Sequence, residues 1–135
     1  MKINTHGLAL ELSLADPLDE EDWCRVRVVA EVPSFQASLV AFLQGADLAR
    51  FRSEIETMYA NLGKAADATL VSVEPGVSIS LSIGTLGGIV GTYKLQEEFV
   101  EGGAPTLTGG FQMDQSYLPS LMDGIDKLLA ELGGT

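Results

Sequence analysis

The chain has 135 residues, 46% of them apolar, and its 19 acidic and 8 basic residues give a formal net charge of −11. This length predicts a single domain spanning 1–135, and the apolar fraction is enough for a hydrophobic core, which argues against disorder. The charge excludes a basic footprint for nucleic acid or for an anionic membrane surface. It would attract a basic protein partner, but taken alone it favours the simpler interpretation that it keeps the domain soluble.

The pattern of the N-terminal segment is not typical of a targeting signal or a membrane anchor. No apolar run approaches the ~20 residues of a membrane-spanning helix, and the first residues alternate apolar and polar side chains. The single cysteine, Cys24, cannot form an internal disulfide. The sequence therefore predicts a soluble cytoplasmic protein, and it leaves the oligomeric state open.

The first half of the chain predicts three strands. Leucines alternate with other residues over 8–14, and the acidic loop 16–22, with five carboxylates in seven residues, ends this strand. A second strand follows over 24–32, with Arg25 and Arg27 on the face opposite its apolar side chains. We expect these arginines to pair across strands with carboxylates such as Glu11. A third strand is predicted over 35–43.

The spacing of apolar residues then changes to that of an amphipathic helix. Gly45 and Asp47 fit its start and Gly63 its end. Two pairs four residues apart, Arg50–Glu54 and Arg52–Glu56, are expected to form weak ion pairs on its surface. The predicted apolar stripe comprises Leu48, Phe51, Ile55, Met58, Tyr59 and Leu62.

The second half predicts four more strands and a final helix. The strands cover 66–73, 77–83, 89–99 and 107–113, with turns at 74–76, 84–88 and 100–105. The helix is expected from 118 to 132, capped by Asp114 or Ser116, with Pro119 in its first turn. The element order βββ-α-ββββ-α predicts an α+β fold, an antiparallel sheet of about seven strands with two helices packed on one face.

Few residues could carry enzyme or cofactor chemistry. The chain has one histidine, His6, and one cysteine, Cys24, which lies on the apolar face of its strand, where a buried and unreactive thiol is expected. The glycine-rich stretch 84–91 joins two strands, whereas a phosphate-binding loop opens a helix. The sequence thus predicts no catalytic residues, no metal site and no cofactor.

The acidic loop is the feature that most needs an explanation. Consecutive carboxylates point in divergent directions, the loop has no glycine for a calcium-binding turn, and acid–base catalysis needs two carboxylates facing each other. Two interpretations stay open: the loop contacts a basic partner, or it is only solvated. Trp23, which follows the loop, is either an aromatic anchor for that partner or a residue of the sheet.

The order of motifs resembles the WapI family of bacterial immunity proteins. The resemblance covers about 23–132. It rests on the Trp-x-Arg-Val-Arg-Val run from Trp23, on two spaced pairs in the first helix (Leu48 with Phe51, and Tyr59 with Leu62), on the VSISLSI strand and on DQSYLP at 114–119. The turn GTLGG departs from the more polar turn with Asp and His that the family leads one to expect. The resemblance implies a non-catalytic protein that binds the toxic C-terminal domain of a polymorphic toxin, which can be a nuclease.

These considerations give a hypothesis for the partner-binding surface. A basic toxin domain would meet the acidic loop, with further carboxylates near residue 100 and Trp23 as an anchor. The competing functions are a general acidic interaction or regulatory domain and, third, a small-ligand or enzymatic domain. The proposed partner-binding residues are Asp19, Glu20, Glu21, Asp22, Trp23, Glu97, Glu98 and Glu101.

Overall fold

The chain folds as two four-stranded antiparallel sheets, each followed by a helix, in a computed structural model that describes residues 1–17, 19–72, 76–97 and 103–133. The α+β class and the predicted order of strands and helices are confirmed, with eight strands in two sheets where about seven in one sheet were predicted. The elements are β1 Lys2–Thr5, β2 Leu8–Asp16, β3 Trp23–Val32, β4 Phe35–Gln44, α1 Gly45–Ala60, β5 Ala66–Val71, β6 Val77–Ile83, β7 Gly88–Gln96, β8 Thr106–Asp114, a 3-10 turn Gln115–Tyr117 and α2 Leu118–Leu132.

The first sheet has the order β1-β2-β3-β4 and contains the strand that the sequence did not predict. That strand, β1, has only four residues and buries one side chain among them, Ile3, so it shows no alternating pattern long enough to detect. A turn with Gly7 at a positive φ of 94° joins it to β2. His6 therefore lies in this turn.

The second sheet, in the order β5-β6-β7-β8, follows the predicted alternation closely. In β6 the apolar residues face the core, while the serines between them, Ser78, Ser80 and Ser82, face outward. The predicted turn at 84–88 is present, with Gly87 at φ 89°. Parts of two predicted strands and of two predicted connections, at 73–75 and 98–102, lie outside the described residues.

The two sheets and both helices share one apolar core. The helices pack against each other, α1 also lies along β5, and α2 lies against β1 and β2. The predicted stripe of α1 is wrong at its C-terminal end. Tyr59 and Leu62 are 42% and 41% exposed: Tyr59 lies beside the buried Met58 in the last turn of α1, and Leu62 lies beyond the helix end at Ala60. No helix in the described part of the chain is long and apolar enough to cross a membrane.

Side chains from the helical segments cover two of the sheet edges. The hydroxyl of Tyr117 accepts from the N–H of Asn4 at 3.0 Å and donates to the carbonyl of Lys2 at 3.1 Å, so it occupies the outer edge of β1. On β5, the carboxylate of Glu54 accepts from the N–H of Thr69 at 3.0 Å. Both edges are thereby protected from pairing with another chain.

Glu54 is therefore not the partner of Arg50, contrary to the prediction. Arg50 instead lies 3.5 Å from Asp47, one turn back along α1. The second predicted pair, Arg52 with Glu56, is present, and Arg52 also bonds Asp126 at 3.0 Å, which joins α1 to α2. Helical spacing alone predicts which side chains can meet, but not the competing partners that tertiary packing brings close.

Two glycines in the second sheet leave room for aromatic rings on the facing strand. Gly91 lies opposite Phe111, and Gly109 lies opposite Tyr93. A Cβ added at Gly91 would lie 2.2 Å from the Phe111 ring, and one added at Gly109 would lie 2.4 Å from the Tyr93 hydroxyl. The two rings, both largely buried, stack with centroids 6.4 Å apart. Each ring thus fills the space that a side chain on the opposite strand would take.

The lone cysteine lies in the core, as predicted from its place on the apolar face of β3. Its Sγ donates to the carbonyl of Leu43 at 3.2 Å, and burial raises the pKa of the Cys24 thiol to about 11. Burial and the raised pKa both disfavour the thiolate, which is the nucleophilic form, at neutral pH.

We expect Cys24 to make folding stability sensitive to alkaline pH. The pKa of the folded thiol lies above its usual value of 9.0, so its contribution to stability is fully present below about pH 9 and is lost as the pH rises towards 11. Between those pH values the free energy of unfolding of the wild-type protein should fall by about 1–3 kcal/mol more than that of Cys24→Ala, since one pKa unit equals about 1.4 kcal/mol. Urea unfolding at pH 8 to 11 measures this difference, and parallel pH curves for the two proteins would contradict it.

Candidate functional site

Asp19 holds the conformation of the 19–23 part of the acidic loop. Oδ1 of Asp19 accepts from the backbone N–H of Glu21 at 2.9 Å and of Trp23 at 3.0 Å. The backbone N–H of Asp19 also donates to the carbonyl of Trp23, and the carbonyl of Asp19 accepts from the N–H of Asp22. The side chain of Asp19 therefore closes the loop onto the start of β3.

Asp22 joins the loop to the beginning of α1. Its backbone carbonyl accepts from the N–H of Gly45 at 3.1 Å, and its Oδ2 accepts from the N–H of Ala46 at 3.0 Å. Gln44 and Asp47 add a capping box at the same helix end. Asp22 adopts a φ of 66°, a left-handed conformation that Asp and Asn tolerate better than most residues. A residue 24 positions away thus supplies a cap that the helix sequence does not reveal.

The side chains of Glu20 and Glu21, unlike those of Asp19 and Asp22, neither hold the loop nor cap α1. Both side chains face solvent, and neither takes part in a salt bridge with another residue in the described part of the chain. Their charges are available to a partner. Of the four consecutive carboxylates at 19–22, two therefore hold the shape of the loop and two project from it.

Trp23 begins β3 and is half-buried, opposite Gln44 on β4. It lies on the outer face of the first sheet, the face that points away from the core. On this face the guanidinium of Arg25 lies 5.8 Å from the centre of the Phe42 ring, a cation–π contact. We call Trp23, Arg25 and Phe42 the aromatic–arginine cluster. Tryptophan and arginine are the residue types that most often dominate binding energy at protein interfaces.

Arg25 pairs across strands with a carboxylate, as predicted, but its partner is Asp16 at 2.7 Å and not Glu11, which lies opposite Val29. A register shift between Leu14 and Asp16 brings Asp16 opposite Arg25, and a sequence pattern does not show such a bulge. Within the described part of the chain, Arg27 forms no ion pair.

The structure places the remaining predicted site residues apart from the loop or leaves them outside the description. Glu97 is exposed just beyond the end of β7, in the second sheet, where its backbone N–H donates to the carbonyl of Pro105 at 3.1 Å. Glu98 and Glu101 lie outside the described residues. The structure thus brings Asp19–Trp23 together on the first sheet, and sequence reasoning missed Phe42, Asp16 and the capping role of Asp22.

The described residues contain no group of three His, Cys, Asp or Glu side chains placed to hold a metal ion. His6 lies in the β1–β2 turn, whereas Cys24 is buried and bonded to Leu43. A groove of about 500 Å³ between β1, β2 and α2 has both Lys127 and Glu131 in its wall, so its charge is mixed.

Comparison with known protein families gives one match. A family model described as the immunity protein WapI-like family matches residues 1–133. A search of curated proteins finds no match. The matched segment includes the acidic loop, the aromatic–arginine cluster and both helices.

Proposed function

Because the chain belongs to the WapI-like family of immunity proteins, we propose that it binds the toxic C-terminal domain of a polymorphic toxin and neutralises it without catalysis. Membership over residues 1–133 is the observation that carries this proposal, since it supports a toxin-neutralising role in general. We place the protein in the cytoplasm, where a lone free thiol such as Cys24 is ordinary. The toxin is a basic protein in this proposal, and a nuclease is the class that fits the charge best.

The charge of the chain supports a basic partner. With a formal net charge of −11, the protein repels polyanions and attracts basic surfaces such as the one with which a nuclease binds nucleic acid. Glu20 and Glu21 project from the loop beside Trp23, so steering charge and an aromatic contact lie next to each other. Such an arrangement speeds association, while the central aromatic contact supplies binding energy.

Co-expression tests the proposal directly. The toxin domain encoded beside the gene for this chain is produced in a host that lacks any immunity protein, with and without this protein. We expect growth arrest with the toxin alone and normal growth when both are present. If growth still stops while this protein is abundant and folded, it does not neutralise that toxin, and the general interaction domain becomes the better account.

The exposed carboxylates of the loop should control the rate of toxin binding. We expect Glu20→Gln with Glu21→Gln to slow association about three- to tenfold and to reduce its salt dependence, with a small change in the dissociation rate. Stopped-flow or surface-based kinetics at several salt concentrations measures this. The matched control is Asp123→Asn with Glu131→Gln, which removes the same charge from exposed positions on α2. Equal slowing by both pairs would mean that only net charge matters, not the loop.

A further inference from the structure

The four outermost strands of the two sheets differ in how their edges are protected. Tyr117 occupies the edge of β1, and Glu54 and α1 cover that of β5. β8 comes close to β1. In the described part of the chain the edge of β4 has no such cover, and Gly76 comes close to β4 at Ala41, whose side chain points into the core. An uncovered edge is a ready template for pairing with another chain.

The hydrogen-bond pattern shows which backbone groups of β4 point outward. Residues opposite each other in an antiparallel pair alternate between bonded and non-bonded pairs. Asp22 and Gly45 continue the β3–β4 register and are bonded, so the odd-numbered residues of β4 face β3. The residues whose N–H and C=O point away from β3 are Gln36, Ser38, Val40 and Phe42. In the described part of the chain these four N–H groups have no hydrogen-bond partner.

The composition of β4 does not protect this edge. Proteins usually interrupt a long edge strand with lysine, proline or a bulge. The ten residues of β4, FQASLVAFLQ, contain no charge and no proline, and the register with β3 is unbroken from end to end. Of the four outermost strands, β4 is the one that carries no charged side chain.

The surroundings of β4 indicate what would pair with it. The acidic loop lies at its C-terminal end through the bond from Gly45 to Asp22, and Glu20 and Glu21 project there. Phe42, part of the aromatic–arginine cluster, lies on the outer face of the strand itself. A second copy of this chain would bring another charge of −11 to the edge, which opposes pairing of two copies.

We propose that β4 is the docking edge for the toxin, where an uncharged strand of the basic toxin domain pairs with the outward backbone groups of β4. Backbone hydrogen bonds hold the added strand, Phe42 packs beside it, and basic residues next to that strand meet Glu20 and Glu21. This inference rests on the proposed function, because it names the surface with which the protein would bind its toxin.

The test removes one outward N–H without touching the bonds between β3 and β4. Ser38→Pro deletes the N–H that points away from β3, and proline is tolerated on an edge strand at such a position. Ser38→Ala is the matched control, because it keeps the N–H and removes only an exposed hydroxyl. The probe is the purified toxin domain encoded beside this gene. We expect binding about tenfold or more weaker for Ser38→Pro and within about twofold of wild type for Ser38→Ala.

The outcomes separate the docking edge from the function. If the wild-type protein binds the toxin and Ser38→Pro binds equally well, docking on β4 is wrong and the proposed function stands. If the wild-type protein does not bind, both fail. A wild-type dimer in sedimentation that Ser38→Pro abolishes would assign β4 to a second copy and overturn the proposal.

Hydrogen exchange gives a second test that does not depend on the folding of Ser38→Pro. In the free wild-type protein the amides of Ser38, Val40 and Phe42 should exchange fast, because they point to solvent. Adding the toxin domain should protect them at least about tenfold, whereas the amides of Ala37 and Leu39, already bonded to β3, should change little. Unchanged exchange at Ser38 and Val40 in the complex would contradict docking on this edge.

Discussion

Gly91→Val is expected to lower the free energy of unfolding by about 3 kcal/mol or to prevent folding, because the new side chain has no space. Its Cβ would lie 2.2 Å from the Phe111 ring, and two backbone strands hold that ring in place. Phe111 stacks on Tyr93, so it cannot move without disturbing a second buried ring. Urea or thermal unfolding followed by circular dichroism measures the effect.

Gly88→Val is the matched control for this substitution. Gly88 lies in the same strand, and a Cβ added there would meet no atom within 4 Å. Valine favours strands, so we expect a change within about 0.5 kcal/mol. A similar loss for both variants would show that the cost comes from replacing glycine in this strand and not from the Phe111 ring.

Asp22→Ala is expected to destabilise the chain by about 2 kcal/mol, although Asp22 lies in a surface loop. Alanine removes the oxygen that caps the N–H of Ala46, which costs about 1 kcal/mol. It must also adopt the left-handed conformation of φ 66°, which costs about 1 kcal/mol more. Chemical denaturation of the variant and of wild type gives the difference.

Asp22→Asn separates the cap from the charge. Its amide oxygen can accept the same hydrogen bond and asparagine tolerates the left-handed region, so we expect stability within about 0.5 kcal/mol of wild type. If Asp22→Asn is as unstable as Asp22→Ala, the negative charge near the helix N-terminus carries the effect. The result also governs how the loop is tested for toxin binding, since Asp22→Ala would confuse lost stability with lost contact.

The periodic parts of the fold could be predicted from sequence because burial imposes a repeat. The alternation in β6 and the helical spacing in α2 follow directly from which side chains face the core. β1 could not be predicted, since four residues with one buried side chain carry no repeat. The division into two sheets is also not visible locally, because it depends on how distant strands pair.

The candidate site was predictable in composition but not in geometry. The cluster of acidic residues beside Trp23 is visible in the sequence, and the structure keeps Asp19–Trp23 together. The sequence does not show which carboxylates hold the loop and which are exposed. The partner of Asp22 lies 24 residues away, and no sequence pattern indicates the bulge that brings Asp16 to Arg25. Phe42 joins the site only through the β3–β4 register.

A titration tests whether this protein neutralises the toxin domain by direct binding. Increasing amounts of the purified protein are added to a fixed concentration of the purified toxin domain, well above the dissociation constant, and the remaining toxin activity is recorded. We predict a linear loss of activity that ends at one molecule of this protein per toxin domain, independent of incubation time. Progressive inactivation by far less than one equivalent would reveal catalysis, and full activity at excess protein would contradict neutralisation altogether.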